Sequence, residues 1–313
     1  MTYQGAAQVK FLATLRDNPQ LATLVRVYHI PTHDVSDGSL SWQLVLCCIK
    51  QMTNLKELVY LSLFAKSENP FPQVSEGEEI PFQLERFVWA VEGRHRQDGV
   101  TQFLRTQHKL KFLQLSCQLN QNIPSDIVPD LHTLDGDVDL ICAALPGRSI
   151  SKLYWREYPW RAHRPWSYFN ILFHASQLEE LSGIRGLSIS METLSRLFSS
   201  QLQNGLRRLQ NVEVLEICTN QAMSNLINIT KKFPCLKRFI IRPDVSKVPF
   251  PYPTVVEKIY RSEEIQSEVA ALFKASPSLV YVDIWVGDLL FKRWEVNVLV
   301  PELVIVPVEK MLE

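Results

Sequence analysis

Residues 52–63 read MTNLKELVYLSL. Within this stretch Leu55, Leu58 and Tyr60 follow one pattern: an apolar residue, two residues, an apolar residue, one residue, and a third apolar residue. Side chains alternate between the two faces of a β-strand, so the second and third apolar residues point to the same face. The pattern therefore predicts a short strand with one buried face, which the chain enters at the first apolar residue.

The pattern recurs along the chain, and we take its middle residue as the anchor of each unit. The anchors run from residue 28 to residue 282 in nine steps of about 28 residues each. A single unit of this length cannot bury its apolar face alone, so the repetition predicts stacked units that share a continuous core. The ten anchors are Tyr28, Leu58, Phe87, Leu113, Leu134, Leu153, Leu187, Leu215, Phe239 and Val282. The unit at Leu134 is a weak match.

Several gaps between anchors carry apolar residues at helical spacing, in ranges 40–52, 194–206, 226–233 and 265–273. Short strands that alternate with helices through right-handed crossovers predict an α/β fold. The period is that of leucine-rich repeats, so we expect a leucine-rich-repeat-like solenoid, or horseshoe, with irregular repeats and insertions. Residues 1–20 are predicted to form an N-terminal helical cap, and residues 21–313 a degenerate solenoid of about ten units.

The composition excludes several classes of protein. The 313 residues are 46% hydrophobic and carry a formal net charge of +0, which favours a packed core and gives no global attraction to nucleic acid or to an acidic membrane. Six cysteines without a CxxC pair indicate reduced thiols in a cytoplasmic or nuclear protein. We find no signal peptide and no apolar run long enough to span a membrane, so we expect no membrane partner.

Four segments resemble a known family: NPQLATLVRVYHI (Asn18–Ile30), MTNLKELVYLSL (Met52–Leu63), FPCLKRFIIRP (Phe233–Pro243) and SPSLVYVDIWV (Ser276–Val286). They look like the leucine-rich-repeat region of fungal, especially basidiomycete, F-box proteins. The resemblance implies a non-catalytic protein-recognition module, the substrate-receptor part of an SCF-type ubiquitin ligase. Its partner would be a protein target that the sequence does not identify.

The chain departs from this family in two respects. An F-box of about forty residues normally precedes such repeats, and residues 1–17 are too few to hold one, so we expect an adaptor or cullin partner only if an F-box lies upstream. Leucine-rich repeats usually place Asn or Cys after the strand, where its side chain bonds the backbone of the turn, and only Asn220 fits that place well. A stand-alone leucine-rich-repeat interaction scaffold without a ligase link is therefore an open alternative.

The leading candidate for partner binding is a segment in which aromatic and arginine side chains interleave. Range 148–166 has a local net charge of +4. Trp, Tyr and Arg dominate the energetics of protein interfaces and also stack on nucleic-acid bases. The alternative interpretation, which the segment favours, is that its tryptophans pack an inserted loop onto the core. The candidate residues are Tyr154, Trp155, Arg156, Tyr158, Trp160, Arg161, Arg164 and Trp166, together with the cations Lys111, Lys152, Arg185 and Lys237 of the strand units.

Three other segments have plainer interpretations. The acidic range 68–92 reads as a solvated loop, with a docking surface for basic partners as the alternative. Pro249–Pro253 reads as an extended connection that covers the core, with a partner-binding loop as the alternative. Asp135, Asp137 and Asp139 lack the spacing of an EF-hand, and Asp137 is predicted to cap a helix rather than to bind calcium.

No catalytic motif is visible in the sequence. We find no Walker loop, GxGxxG, GxSxG or HExxH, and expect no enzymatic activity, no cofactor and no metal. A hydrolase with no visible motif is the remaining alternative, and it requires a nucleophile beside a histidine in a deep pocket.

Overall fold

The computed structural model describes residues 3–30, 42–62, 80–91, 99–116, 123–157, 165–199, 202–244, 264–287, 290–298, 301–306 and 312. The chain divides into two compact units, unit 1 (Met1–Arg148) and unit 2 (Ser149–Glu313). Both are mixed α/β, and each is described by itself below.

The described residues of unit 1 form five parallel strands. They are β1 (Val27–Ile30), β2 (Glu57–Ser62), β3 (Arg86–Val91), β4 (Phe112–Leu115) and β5 (Thr133–Gly136). The described helices are α1 (Tyr3–Asp17), α2 (Pro19–Ala22), α3 (Trp42–Gln51), α4 (Val100–Arg105) and α5 (Val138–Ala144). Helix α1 packs against α3. Each strand therefore follows its neighbour in both sequence and space, as repeated strand–helix units require.

The five predicted anchors of unit 1 meet in a single register. Tyr28 pairs with Leu58, Leu58 with Phe87, Phe87 with Leu113, and Leu113 with Leu134. All five side chains are buried. The strand predictions for this unit are thus confirmed, including the weak match at Leu134.

In the part of unit 2 that the structure describes there are seven strands, five parallel and two added antiparallel. The parallel strands are β6 (Lys152–Trp155), β7 (Gly186–Ser190), β8 (Val214–Cys218), β9 (Arg238–Arg242) and β10 (Tyr281–Gly287), and the antiparallel strands are β11 (Leu290–Glu295) and β12 (Glu302–Ile305). The described helices are α6 (Pro165–Ser176), α7 (Met191–Leu197), α8 (Gln203–Arg208), α9 (Met223–Thr230) and α10 (Glu264–Ala275), with a 3-10 turn at Glu179–Gly183.

The anchors of unit 2 form a second register. Leu153 pairs with Leu187, Leu187 with Leu215, Leu215 with Phe239, and Phe239 with Val282. All five side chains are fully buried. The predicted strands of this unit are therefore confirmed as well, whereas the repeat pattern gave no sign of β11 and β12.

One helix prediction is wrong. The apolar spacing over 194–206 predicted a continuous helix, but α7 ends at Leu197 and α8 begins at Gln203. Ser199 and Ser200 lie between them, and serine favours turns over helix interiors because its hydroxyl competes for backbone partners. Leu194 and Leu197 before the break and Leu202 after it are all buried, so the apolar spacing alone does not reveal the break.

Local chemistry explains the weak repeat at Leu134. The Asp137 carboxylate accepts hydrogen bonds from the backbone amides of Asp139 and Leu140, both at 3.1 Å, and so begins α5 as predicted. This tight strand-to-helix turn brings the Leu140 side chain to 2.3 Å from where a Cβ on Gly136 would lie. Glycine therefore replaces the third apolar residue because the turn leaves no room for a side chain.

Candidate recognition surface

Charged side chains recur at one position in the repeat, two residues before the anchor. The backbone ladder starts there: the Glu85 amide bonds the Lys56 carbonyl at 2.7 Å, and the Lys237 amide bonds the Glu213 carbonyl at 2.8 Å. Adjacent strands lie about 4.8 Å apart, so consecutive units present these side chains side by side. We call Lys56, Glu85 and Lys111 the rim of unit 1, and Arg185, Glu213 and Lys237 the rim of unit 2.

In the rim of unit 1 a carboxylate lies between two amines. Lys56 Nζ is 2.6 Å from Glu85 Oε1, and Lys111 Nζ is 3.7 Å from Glu85 Oε2. The hydrogen bond from Lys56 and the charge of both lysines lower the pKa of Glu85. The side chains of Lys56 and Lys111 are more than half exposed. This rim therefore displays two cations around one anion.

The rim of unit 2 repeats the arrangement with the same order of charges. Lys237 Nζ is 2.7 Å from Glu213 Oε2, and Arg185 Nη1 is 3.6 Å from Glu213 Oε1. The hydrogen bond from Lys237 lowers the pKa of Glu213. Solvent screens such exposed pairs, so they add little to folding stability. The same order of exposed charges therefore recurs in both units, on side chains that folding stability does not require.

The residues between the anchor and the third apolar position lie on the opposite face of each sheet. In unit 2 these are Tyr154, Ser188, Glu216, Ile240 and Asp283, and all are at most 3% exposed. Of these five residues, only Tyr154 is among the candidates for partner binding named from the sequence. In the structure these five side chains are buried, whereas the rim cations Arg185 and Lys237 are exposed.

Two buried carboxylates of this face are neutralised by arginines from neighbouring strands. Asp283 accepts from Arg238 Nε at 2.7 Å and from Arg293 Nε and Nη2 at 2.7 and 2.8 Å. Glu216 accepts from Arg242 Nη1 at 3.0 Å through Oε1. Its Oε2 is buried with no hydrogen-bond partner among the described residues. Because these ion pairs are buried away from solvent, they join neighbouring strands of unit 2 rather than contribute to its exposed surface.

The structure describes only part of the segment in which aromatic and arginine side chains interleave. Tyr154 and Trp155 are buried, 3% and 1% exposed, and Arg156 lies 5.3 Å from the Tyr154 ring centroid. Tyr158, Trp160, Arg161 and Arg164 lie outside the described residues, and Trp166 is described only as part of the α6 backbone. The two described aromatic residues therefore pack in the protein, and the binding role of the others stays a prediction.

The four predicted cations of the strand units lie where the repeat places them. Lys111, Arg185 and Lys237 belong to the two rims and are exposed, and Lys152 is half-buried at the start of β6. The alternation of charge within each rim was not predicted, because ion pairing depends on which strands are neighbours. Charge at a fixed offset from the anchors was the available signal.

A cleft of about 660 Å³ lies at the carboxyl ends of β8 and β9, beside α7. It was not predicted. Burial raises the pKa of the Cys218 thiol in its wall to about 11. No histidine is among the described residues that line it, so these residues offer no nucleophile–histidine pair. The lining residues are Met191, Glu192, Ser195, Arg196, Ser199, Cys218, Thr219, Asn220, Gln221 and Asp244.

Asn220 fixes the turn beside this cleft. Its Nδ2 donates to the Asp244 carbonyl at 3.2 Å, and its Oδ1 accepts from the Asp244 amide at 3.1 Å. The side chain thus bonds the backbone of the following unit, which confirms the turn-bonding role predicted for Asn220. The acidic range 68–92 is described only from residue 80 to residue 91, and Pro249–Pro253 lies outside the described residues.

The thiols give a direct test of these surroundings. We expect iodoacetamide at pH 8 to alkylate the exposed Cys47 and Cys235 at least tenfold faster than Cys142 and Cys218. Burial raises the pKa of Cys142 to about 12 and that of Cys218 to about 11, so only about one thiol in a thousand or fewer is ionised at that pH. Peptide mass spectrometry over time measures each site. Equal rates at the four sites would contradict the placement.

No protein-family profile matches the chain, and a search of curated proteins finds no significant match. Within the described residues, none of the helices has the length and apolar character needed to cross a membrane. The described part of the chain also holds no group of three or more His, Cys, Asp or Glu side chains arranged to bind a metal ion.

Proposed function

We propose that the chain is a non-catalytic protein-recognition module built from leucine-rich-repeat-like units, and that the two rims contact the partner. The observation that carries the proposal is the repeated rim: the same sequence of cation, anion and cation stands two residues before the anchor in three consecutive strands of each unit. Stacked repeats recognise partners in this way because each repeat presents a few side chains at fixed spacing.

The charge of the rims indicates the chemistry of the partner. Each rim has two cations and one carboxylate, and the cations are mostly exposed. An acidic protein segment is therefore the complement that the rims favour, since opposite potentials speed encounter and exclude partners of like charge. The role in a ubiquitin ligase rests on the resemblance to fungal F-box proteins and is the part of the proposal that an adaptor or cullin partner would support.

Charge reversal in the rim of unit 2 tests the proposal. We expect the variant Arg185→Glu/Lys237→Glu to lose at least tenfold of the partner that wild-type protein captures from an extract of the source organism, because two attractive contacts become repulsive. The matched control is Arg207→Glu/Lys274→Glu, which makes the same change of charge at exposed helix positions. Quantitative mass spectrometry compares the captured proteins.

The two variants separate the outcomes. A protein that is lost with the rim variant and retained with the helix variant supports recognition through the rim. Equal capture by both variants overturns it. An adaptor or cullin in the captured set supports the ligase role, and a set with partners but neither of these supports the stand-alone scaffold.

A further inference from the structure

A notch on the opposite face of unit 2 holds a residue from the far end of the sequence. Gly186 starts β7, and its side-chain position points to the opposite face because Leu187 and Ile189 point to the core. A Cβ built on Gly186 would lie 2.8 Å from Leu312 Cβ and 3.1 Å from the Leu312 carbonyl oxygen. Both backbone and side chain of Leu312 thus use the space that a side chain at position 186 would fill.

Leu312 is almost completely buried in this contact. Leu312 is 3% exposed, whereas Leu303 and Ile305 of β12 are 63% and 73% exposed. The neighbouring side chains of the same face, Ser188 and Val214, are also buried. Burial of the Leu312 side chain stabilises this contact, but one side chain alone leaves it reversible.

Gly186 is not required by the backbone of its own strand. Its φ lies outside the left-handed region, so β7 accommodates any L-residue there without backbone strain. A glycine inside a strand lowers stability relative to alanine, because glycine loses more conformational freedom on folding. The absence of a side chain therefore serves the close approach of another segment rather than the conformation of β7.

The notch adjoins the rim of unit 2, because Arg185 directly precedes Gly186. Arg185 and Lys237 keep exposed positive charge beside it. In the sequence Leu312 lies between Met311 and Glu313, with Glu309 nearby. An apolar residue with acidic neighbours is thus the ligand chemistry that notch and rim together fit.

We infer that Leu312 is an intramolecular occupant of the recognition surface, and that a partner peptide with a leucine flanked by acidic residues competes with it for the notch at Gly186. This rests on the proposed function, because the competing partner is the one that the rims recognise. Binding would then require release of Leu312, which makes its contact with Gly186 autoinhibitory. A tethered segment has an effective concentration of about 1 mM. If the tethered segment and the free peptide each bind the notch with an intrinsic dissociation constant of about 0.1 mM, the tether weakens binding of the peptide about tenfold.

A labelled peptide with the sequence of residues 301–313 tests the inference on the full chain. We expect Leu312→Asp to bind this peptide at least tenfold more tightly than wild type, since its own segment no longer fills the notch. Adding Gly186→Ala should abolish the gain, because the new Cβ closes the notch. Leu303→Asp and Gly183→Ala are the matched controls: Leu303 is exposed, and a Cβ on Gly183 meets its nearest atom at an ordinary 3.6 Å. Fluorescence anisotropy measures the affinities.

Hydrogen exchange gives a second readout that leaves the segment's own sequence intact. Gly186→Ala alone should raise the exchange of amides near Leu312, and Gly183→Ala should not. Equal peptide affinity of wild type and Leu312→Asp overturns the inference, as does a gain that survives Gly186→Ala. If the rim variant loses partner capture, the proposed function stands whichever of these results the peptide experiment gives. If the peptide binds as expected but the rim variant captures the partner unchanged, only the proposed function is contradicted.

Discussion

Replacement of Asp283 by alanine is expected to lower the free energy of unfolding of unit 2 by about 3–5 kcal/mol. The carboxylate is fully buried and accepts from Arg238 and Arg293, which are 12% and 22% exposed in their side chains. Its loss leaves two guanidinium groups facing each other with little solvent. Removing one partner of a buried ion pair is costly because the remaining charge stays desolvated.

The position of Asp283 raises the expected effect. Arg238 belongs to the parallel strand β9 and Arg293 to the antiparallel strand β11, and Asp283 lies on β10 between them. The carboxylate thus joins the C-terminal hairpin to the parallel strands. We expect hydrogen exchange to show faster opening of β10, β11 and β12 before the rest of unit 2.

Urea unfolding of full-length protein measures the loss, and two variants make the result specific. Asp283→Asn keeps the shape and some hydrogen bonding, so we expect a smaller loss. Asp283→Ala combined with Arg238→Met and Arg293→Met removes all three charges, and we expect it to recover part of the stability. The loss should persist in 1 M salt, since buried pairs are screened much less than exposed ones. A loss below about 1 kcal/mol would contradict the role given to this cluster.

The strand register was predictable because it depends on a short apolar pattern. Each anchor occupies the same place in its unit, and parallel pairing of successive units then brings anchor beside anchor, as at Leu58 and Phe87. Neither helix ends nor the C-terminal hairpin share that property. The end of α7 at Leu197 does not interrupt the apolar spacing. Near the C-terminal hairpin, Asn297 in the turn after β11 adopts a φ of 68°, which the repeat pattern does not encode.

The sequence predicted where the residues of the candidate surface lie in each repeat, but not which of them are exposed. Alternation along β8 correctly places Glu216 away from the core face, but its burial arises from tertiary contacts that no strand pattern encodes. The contact of Leu312 with Gly186 joins residues more than 120 positions apart, which is beyond any local signal. The rim cations Arg185 and Lys237 were found because their offset from the anchors is fixed.

Replacement of Arg148 by methionine is expected to destabilise unit 1 by about 3–5 kcal/mol. The side chain is 5% exposed, and its guanidinium donates to five backbone carbonyls. Burial lowers the pKa of Arg148, yet an arginine keeps its charge at neutral pH. Methionine fills a similar volume without donors, so the buried carbonyls lose their partner. The acceptors are the carbonyl oxygens of Ala144, Pro146, Ile123, Pro124 and Ile127.

These contacts hold a strained segment in place. Val128 has a φ of 51°, which is rare for a β-branched residue and costs of order 1–3 kcal/mol. Arg148 Nη2 donates to the carbonyl of Ile127, directly before this residue, at 2.8 Å, and to the carbonyl of Ile123, five positions before it, at 3.1 Å. Its Nη1 bonds the Ala144 carbonyl at 2.6 Å at the end of α5. One side chain therefore fixes the strained segment to the helix end.

Hydrogen exchange and urea unfolding test this role together. In Arg148→Met we expect amides of range 123–148 to exchange faster than those of β2 and β3, because the strained segment opens first. Arg148→Lys retains a charge but reaches fewer carbonyls, so its loss should be intermediate. The control Arg196→Met removes an exposed pair with Glu192 and should change stability by less than about 1 kcal/mol. If Arg148→Met and Arg196→Met lower the free energy of unfolding equally, the hydrogen bonds of Arg148 do not organise unit 1. The strained turn must then be held by apolar packing around Val128.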